Sequence, residues 1–169
     1  MLNRIYLIII AITIICGPTY ADALPFRLVW GQTKDEVRLN VEIDKPLKEK
    51  DNVLYYKLEK SKCEPSVHFI FDKSDRLYQI MMLAACDDKD FADFTFTSLQ
   101  EMLARELGCY MVHTEYNLTY VYYNMISDSY VLLNGYIEDG KYKVLLDYEQ
   151  AKTSLLKKYD KRNDRKKSK

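Results

Sequence analysis

The chain has 169 residues, 48% hydrophobic and 13% aromatic, with 25 Lys/Arg against 25 Asp/Glu and a formal net charge of zero. That balance excludes a global electrostatic pull toward nucleic acid or anionic membrane, and the length is that of one domain able to bury a core without staples. The neutrality hides an asymmetry. Eight Lys/Arg and two Asp lie between Lys157 and Lys169, so the body of the chain, without Arg4, stands near a charge of about −7.

At the N-terminus, Arg4 precedes an apolar run from Ile5 to Ile15, then the Gly17-Pro18 break and small residues at Thr19, Ala21 and Ala23. This is the plan of a secretory signal peptide, with cleavage expected after Ala21 or Ala23. A membrane anchor needs about 20 apolar residues, and this run is about half that. A lipid-anchored form would use Cys16, but the bulky Ile15 precedes it. The expected organisation is a signal peptide over 1–23, one α+β domain over 24–159 and a disordered basic tail over 160–169. The product is expected to be exported, periplasmic or secreted.

Residues 25–30 read as a short strand, followed by a turn at Gly31. Thr33-Lys34-Asp35-Glu36 is a capping box that opens a short helix with Val37 and Val41 on its buried side. Pro46 and the charges from Lys45 to Asp51 form a loop. Residues 53–59 read as a strand, and 63–71 with 76–84 as a hairpin around Asp72-Lys73-Ser74-Asp75. The acidic stretch Asp87–Asp93 precedes or starts a helix. Leu99, Met102, Leu103 and Leu107 recur at helical spacing and stop at Gly108. Residues 118–125 form a strand, and 129–138 with 141–149 a second hairpin turned at Asp139-Gly140. Asn134-Gly135 is the alternative turn; otherwise Gly135 marks a bulge or close backbone contact. Residues 151–159 read as a terminal helix.

A shift of 65 residues sets Thr33-x-x-Glu36 on Ser98-x-x-Glu101, Asn52 on Asn117, Tyr55 on Tyr120 and Asp75 on Gly140. The expectation is an α+β fold: an antiparallel sheet of about six strands with two or three helices on one face. The shift raises the possibility of a duplicated helix-plus-three-strand unit.

Cys63, Cys86 and Cys109 survive cleavage, an odd count that in an oxidising compartment fits one disulfide and one free thiol. With Phe71 opposite Tyr78, Cys63 falls opposite Cys86, on the sheet face of Val67, Phe69, Ile80 and Met82. A Cys63–Cys86 bridge is therefore the candidate. The alternative is three buried thiols acting as small apolar residues.

The stretch from Phe26 to Val37 (FRLVWGQTKDEV) resembles a motif of small exported bacterial proteins, periplasmic or lipoprotein-like. In that group Phe-Arg precedes Trp-Gly-x-Ser/Thr-x-x-Glu-Val, here carried by Trp30, Gly31, Thr33 and Glu36. This chain is one residue shorter between Arg27 and Trp30 and lacks the Gly usual after the Arg. The resemblance implies a compact exported α+β domain and brings no catalytic residue with it. A similar helix-cap-plus-sheet layout occurs in outer-membrane assembly lipoproteins and β-lactamase-inhibitor-like domains, which act by binding proteins. That is fold analogy alone.

Chemistry-bearing patterns are sparse. His68 sits inside a strand, on the face opposite Val67 and Phe69. His113 with Cys109 and Glu115 is too few convergent ligands for zinc, and the pair has no third member for a nucleophilic triad. No Gly-x-Ser-x-Gly elbow or Gly-rich phosphate loop occurs. The carboxylates at Asp87, Asp88, Asp90 and Asp93 lack the spacing of a calcium cage. No cofactor, metal or catalytic residue is expected. Asn117-Leu118-Thr119 is a glycosylation acceptor only in a eukaryotic host.

The 15 tyrosines are more suggestive. A tyrosine buries its ring and keeps its hydroxyl wet, which suits a half-buried sheet or a binding surface. Tyr120 and Tyr122, on one face of their strand, with Tyr55 and Tyr130, are the candidate binding residues. The expected function is a non-enzymatic protein-binding module of inhibitor, immunity, envelope or effector type. The partner would be another protein and not nucleic acid, with weak membrane-surface contact through the tail. A small secreted hydrolase and an envelope-associated structural protein held by its tail are the alternatives.

Overall fold

The structure, a computed structural model, describes residues 24–43, 46–57, 63–106, 112–113, 118–124 and 127–155. The leader over 1–23, Cys109, Glu115, Asn117 and the tail over 160–169 lie outside the described residues.

The described strands are β1 (Lys48–Lys50), β2 (Val53–Lys57), β3 (Cys63–Phe71), β4 (Leu77–Cys86), β5 (Val112–His113), β6 (Leu118–Asn124), β7 (Ser129–Glu138) and β8 (Lys141–Gln150). The helices are α1 (Lys34–Asn40) and α2 (Lys89–Glu106). All eight strands form one antiparallel sheet in the order β1-β2-β3-β4-β8-β7-β6-β5. The fold is thus α+β, with two short edge strands added to the six long ones expected. Each half runs helix, then four-strand meander, and the last strands of the halves, β4 and β8, pair at the middle of the sheet.

Side-chain parity decides where the core lies. Leu54, Val67, Phe69, Ile80, Leu146, Leu133 and Tyr122 share one face and join the apolar residues of both helices in a single cluster. In α2, Ala92, Phe96, Leu99, Met102 and Leu103 recur every three or four residues and are buried. The helix starts ten residues before Leu99. Its cap is Asp88, whose Oδ1 accepts from the Asp90 and Phe91 amides at 2.9 and 3.2 Å. The acidic stretch is therefore a helix start, in which Lys89 pairs with Asp93. Ser98 lies inside the helix and caps nothing, unlike Thr33, whose capping box with Glu36 is complete.

The segment read as a first strand is instead one turn of 3-10 helix at Pro25–Arg27, with Phe26 and Arg27 both at positive φ (63° and 57°). Leu24 and Leu28, four positions apart, are both buried, a spacing that a strand would also set on one side; the two successive left-handed residues between them are what break the strand. Residues 151–155 form a turn where a helix was expected; the rest of that expectation lies outside the described residues. The pairing of β7 runs regularly through Gly135, so neither a bulge nor the alternative turn is present there. The reversal falls at Asp139-Gly140, both at positive φ.

Candidate functional site

The hairpin β3–β4 holds Cys63 opposite Cys86, at disulfide distance, with a Cα–Cα separation of 4.0 Å. Both are buried against the core. The expected register holds from Cys63 to Ile70. A shift between Ile70 and Phe71 then sets Phe71 opposite Leu77 rather than Tyr78. This bulge lies at the tip, so it leaves the parity of the cysteines untouched.

The motif residues make a structural clamp. Thr33 and Glu36 start α1. The Gly31 amide donates to the Leu77 carbonyl and the Leu77 amide to the Gln32 carbonyl, both at 2.9 Å, so the chain adds briefly to the start of β4. Gly31 has φ +87°, with nothing within 4 Å of an added Cβ, so its backbone conformation rather than crowding calls for glycine there. The Trp30 indole Nε1 donates to the Ser127 carbonyl and to Ser129 Oγ, each at 3.0 Å. Trp30 thereby ties the N-terminal segment to the turn between β6 and β7.

The four candidate tyrosines do not form one surface. Tyr120 and Tyr122 are 9% and 1% exposed and lie on the core face, where the Tyr120 ring meets Phe96 of α2 at 5.7 Å. Tyr55 and Tyr130 lie on the opposite face, on β2 and β7, with three strands between them. Tyr130 is only 5% exposed; it packs against Tyr123 at 5.0 Å in a small cluster with Val121, Leu132 and Ala151. Tyr55 stacks on His68 at 5.9 Å. Alternation does set Tyr120 and Tyr122 on one side of their strand, and that side is the core face. A strand flanked by Val131 and Leu133 presents its paired tyrosines to the helix.

On the face opposite the helices, one row of directly opposed residues crosses the sheet: Tyr55, His68, Met81, Asp147, Leu132 and Val121. No helix among the described residues packs on it. At its centre is Asp147, 5% exposed, with Gln79 Nε2 within 3.1 and 2.9 Å of its two carboxyl oxygens. Burial pushes the Asp147 pKa up to about 7; the Gln79 hydrogen bond opposes this, and the neighbouring Glu149 carboxyl adds to it. His68 is half-buried, with Nε2 3.1 Å from Ser66 Oγ, and burial lowers its pKa. Toward the β3 end of the sheet, Lys57, then Lys141, hold the Glu64 carboxyl below the usual range. Asp147 was overlooked in the sequence. Its signal was an acid between Leu145 and Glu149 on one face of a strand whose other face, Val144-Leu146-Tyr148, is apolar.

Among the described residues, no group of three or more His, Cys, Asp or Glu could hold a metal, and no helix is long and apolar enough to cross a membrane. Cys109 of the Cys109–His113 pair lies outside the described residues, and His113 ends the short strand β5.

No family model and no curated protein matches the chain. Among solved structures, a DUF4309 family protein (YjgB) from Bacillus subtilis is similar at 13% identity and a TM-score of 0.37. The match covers 70% of this chain and 78% of that one. A likeness of that size carries no functional argument.

Proposed function

We propose that the protein is an exported, non-enzymatic module that binds another protein through the sheet face opposite its helices. The observation that supports this most directly is the composition of that face. Tyr55, Ile70, Met81, Leu83, Leu132 and Tyr136 are only partly buried there, on four strands of the sheet. Aromatic side chains on a sheet lose little freedom on docking, and aromatic and methionine side chains both supply much contact area. The binding residues of the reading from sequence change accordingly: Tyr55 stays, while Tyr120 and Tyr122 become core. The resemblance to small exported proteins carrying the Trp-Gly-x-Thr-x-x-Glu-Val motif belongs to the same proposal, with the motif as a clamp rather than a contact surface.

We also infer that the two halves are copies of one unit, now a helix plus four strands. Faces superpose only under an even shift, so Leu54 and Tyr56 correspond to Tyr120 and Tyr122. The odd shift of 65 put Tyr55 on Tyr120, which lies on the other side of the sheet. Leu24 and Pro25 are buried in the core, so a leader cut after Ala21 or Ala23 leaves the fold whole. N-terminal sequencing of the secreted product tests this, and a first residue beyond Leu24 overturns it.

The test of binding is site-specific photo-cross-linking in the native export compartment, with the probe at Met81, Tyr136 or, on the helix side, Thr97. The expected result is one partner captured from Met81 and Tyr136 at high salt, not from Thr97, and lost in Tyr55→Ala/Tyr136→Ala protein that still folds. Capture from Thr97 alone, or none that survives high salt, overturns the proposal.

A further inference from the structure

The margin of the uncovered face at β1 carries charge that nothing beside it answers. All three residues of β1 are exposed, and their parity is fixed by what the strand touches. Leu47, one residue before it, packs on the core, and Glu49 stands opposite the fully buried Leu54. The Glu49 carboxylate is held by Lys34 at 3.0 Å and by Arg38, both from α1. Glu49 is thus committed to the helix side. Alternation then sets Lys48 and Lys50 on the other side, opposite Tyr55 and Val53.

These two differ from the other strand lysines of that face. Lys57 and Lys141 share the Glu64 carboxylate at 2.6 and 3.1 Å, and Lys143 is paired with Glu138. Among the described residues, no carboxylate lies at ion-pair distance from Lys48 or Lys50. Each begins a row that crosses the sheet in register. One row runs Lys48, Tyr55, His68, Met81, and the next Lys50, Val53, Ile70, Gln79. Both pass from an exposed ammonium to partly buried side chains. Two positions apart on one strand, the lysines are spaced by about 7 Å.

On the basis of docking at the uncovered face, as proposed above, we infer that the partner protein presents an acidic segment whose carboxylates are received by Lys48 and Lys50 while its apolar residues lie over Tyr55, Ile70 and Met81. Ammoniums at the rim of an apolar surface keep most of their water, so pairing there costs little desolvation and acts chiefly on the rate and orientation of encounter. The rest of the molecule selects for the same orientation. Asp87, Asp88, Asp90 and Asp93 cluster at the start of α2, on the helix side, and the body stands near a charge of about −7. With a Debye length of about 8 Å at physiological salt, a docking segment responds to the charges nearest to it. An acidic segment is therefore turned away from the α2 side and toward the lysine margin, whereas a basic one would be drawn to the aspartates. Lysines on a sheet edge also discourage strand pairing, but a charge of either sign serves that end. Reception of carboxylates needs the positive sign, and reversing it separates the two roles.

The test follows capture by a photo-cross-linking probe at Met81, with the full chain in its native export compartment. Wild type is compared with Lys48→Glu/Lys50→Glu and with Lys48→Gln/Lys50→Gln, which answers the question should the reversal disturb β1. At low salt the reversal should slow capture about tenfold and the Gln variant by less, and the differences should close at high salt. Lys73→Glu makes the same charge change at the tip of the β3–β4 hairpin and should leave capture unchanged. Carbodiimide, which joins an amine directly to a carboxyl, should link Lys48 or Lys50 to an Asp or Glu of the same protein that Met81 captures, read by mass spectrometry of the linked peptides. Equal capture by wild type and both double variants, an equal loss in Lys73→Glu, or linkage only to a second copy of this chain would each overturn the acidic segment while leaving docking at Met81 in place. Absence of any Met81 capture in the wild type would remove the docking reading and this inference with it.

Discussion

Tyr122 and Tyr55 show how strongly position, rather than residue type, sets the consequence of a change. Tyr122 is fully buried on the core face of β6, so Tyr122→Ala leaves a ring-sized void and should cost about 3–5 kcal/mol of stability by urea unfolding. Tyr55→Ala on the uncovered face should cost less than about 1 kcal/mol. Asp147 provides the second contrast. Its folded-state pKa lies above its unfolded value, so the native state binds the proton more tightly. Its contribution therefore favours folding at low pH and is lost as pH rises from about 4 to about 7, then levels off. Carboxylates with depressed values, such as Glu49 beside Lys34 and Arg38, run the other way and lose their contribution as pH falls. Comparing wild type with Asp147→Asn isolates the first effect. The variant should gain about 2–4 kcal/mol relative to wild type at pH 8 over its relative stability at pH 4. Parallel stability curves would mean that Asp147 is not buried in solution.

At the scale of elements, local chemistry was legible where it is satisfied by neighbours in sequence. The Thr33–Glu36 box, the Asp139-Gly140 turn and the β3–β4 register all follow from spacing of a few residues. The Ser98–Glu101 match failed because the same spelling inside an apolar-periodic stretch continues a helix already begun at Asp88. The residues from Pro25 to Trp30 failed for another reason. Their conformation is set by what they reach, Phe69 through the Phe26 ring, and Ser127 and Ser129, about a hundred positions from Trp30, through its indole. Trp30 is where that reach can be weighed. Trp30→Phe keeps most of the ring and removes the donor to two oxygens, one of them on the fully buried Ser129. A loss of about 1–3 kcal/mol is expected, against about 1 kcal/mol for the exposed cap change Thr33→Ala. If the two variants cost the same, the indole contacts contribute packing alone.

For the whole molecule, the sheet's mirrored order puts β4 and β8 at its middle and leaves the edges to β1 and β5, which are three and two residues long. Among the described residues the edge strands are short, one of them Lys-Glu-Lys, and offer little template for pairing with another chain, which favours the broad face in the proposed association. The disulfide belongs to the same architecture. It joins β3 to the central strand β4, across a sequence separation of 23. Closing a loop of that length in the unfolded chain stabilises the fold by about 3 kcal/mol in the chain-entropy view. Cys63→Ala/Cys86→Ala should lose roughly that amount, plus a smaller term for the volume removed from the core. Both sulfur-bearing residues are buried, so a thiol reductant reaches them only when the hairpin opens. Reduction in native buffer should therefore be slow and should accelerate with urea in step with global unfolding. If it is instead fast and independent of urea, β3 and β4 separate locally, and the core behind them is not the rigid base that the proposed docking needs.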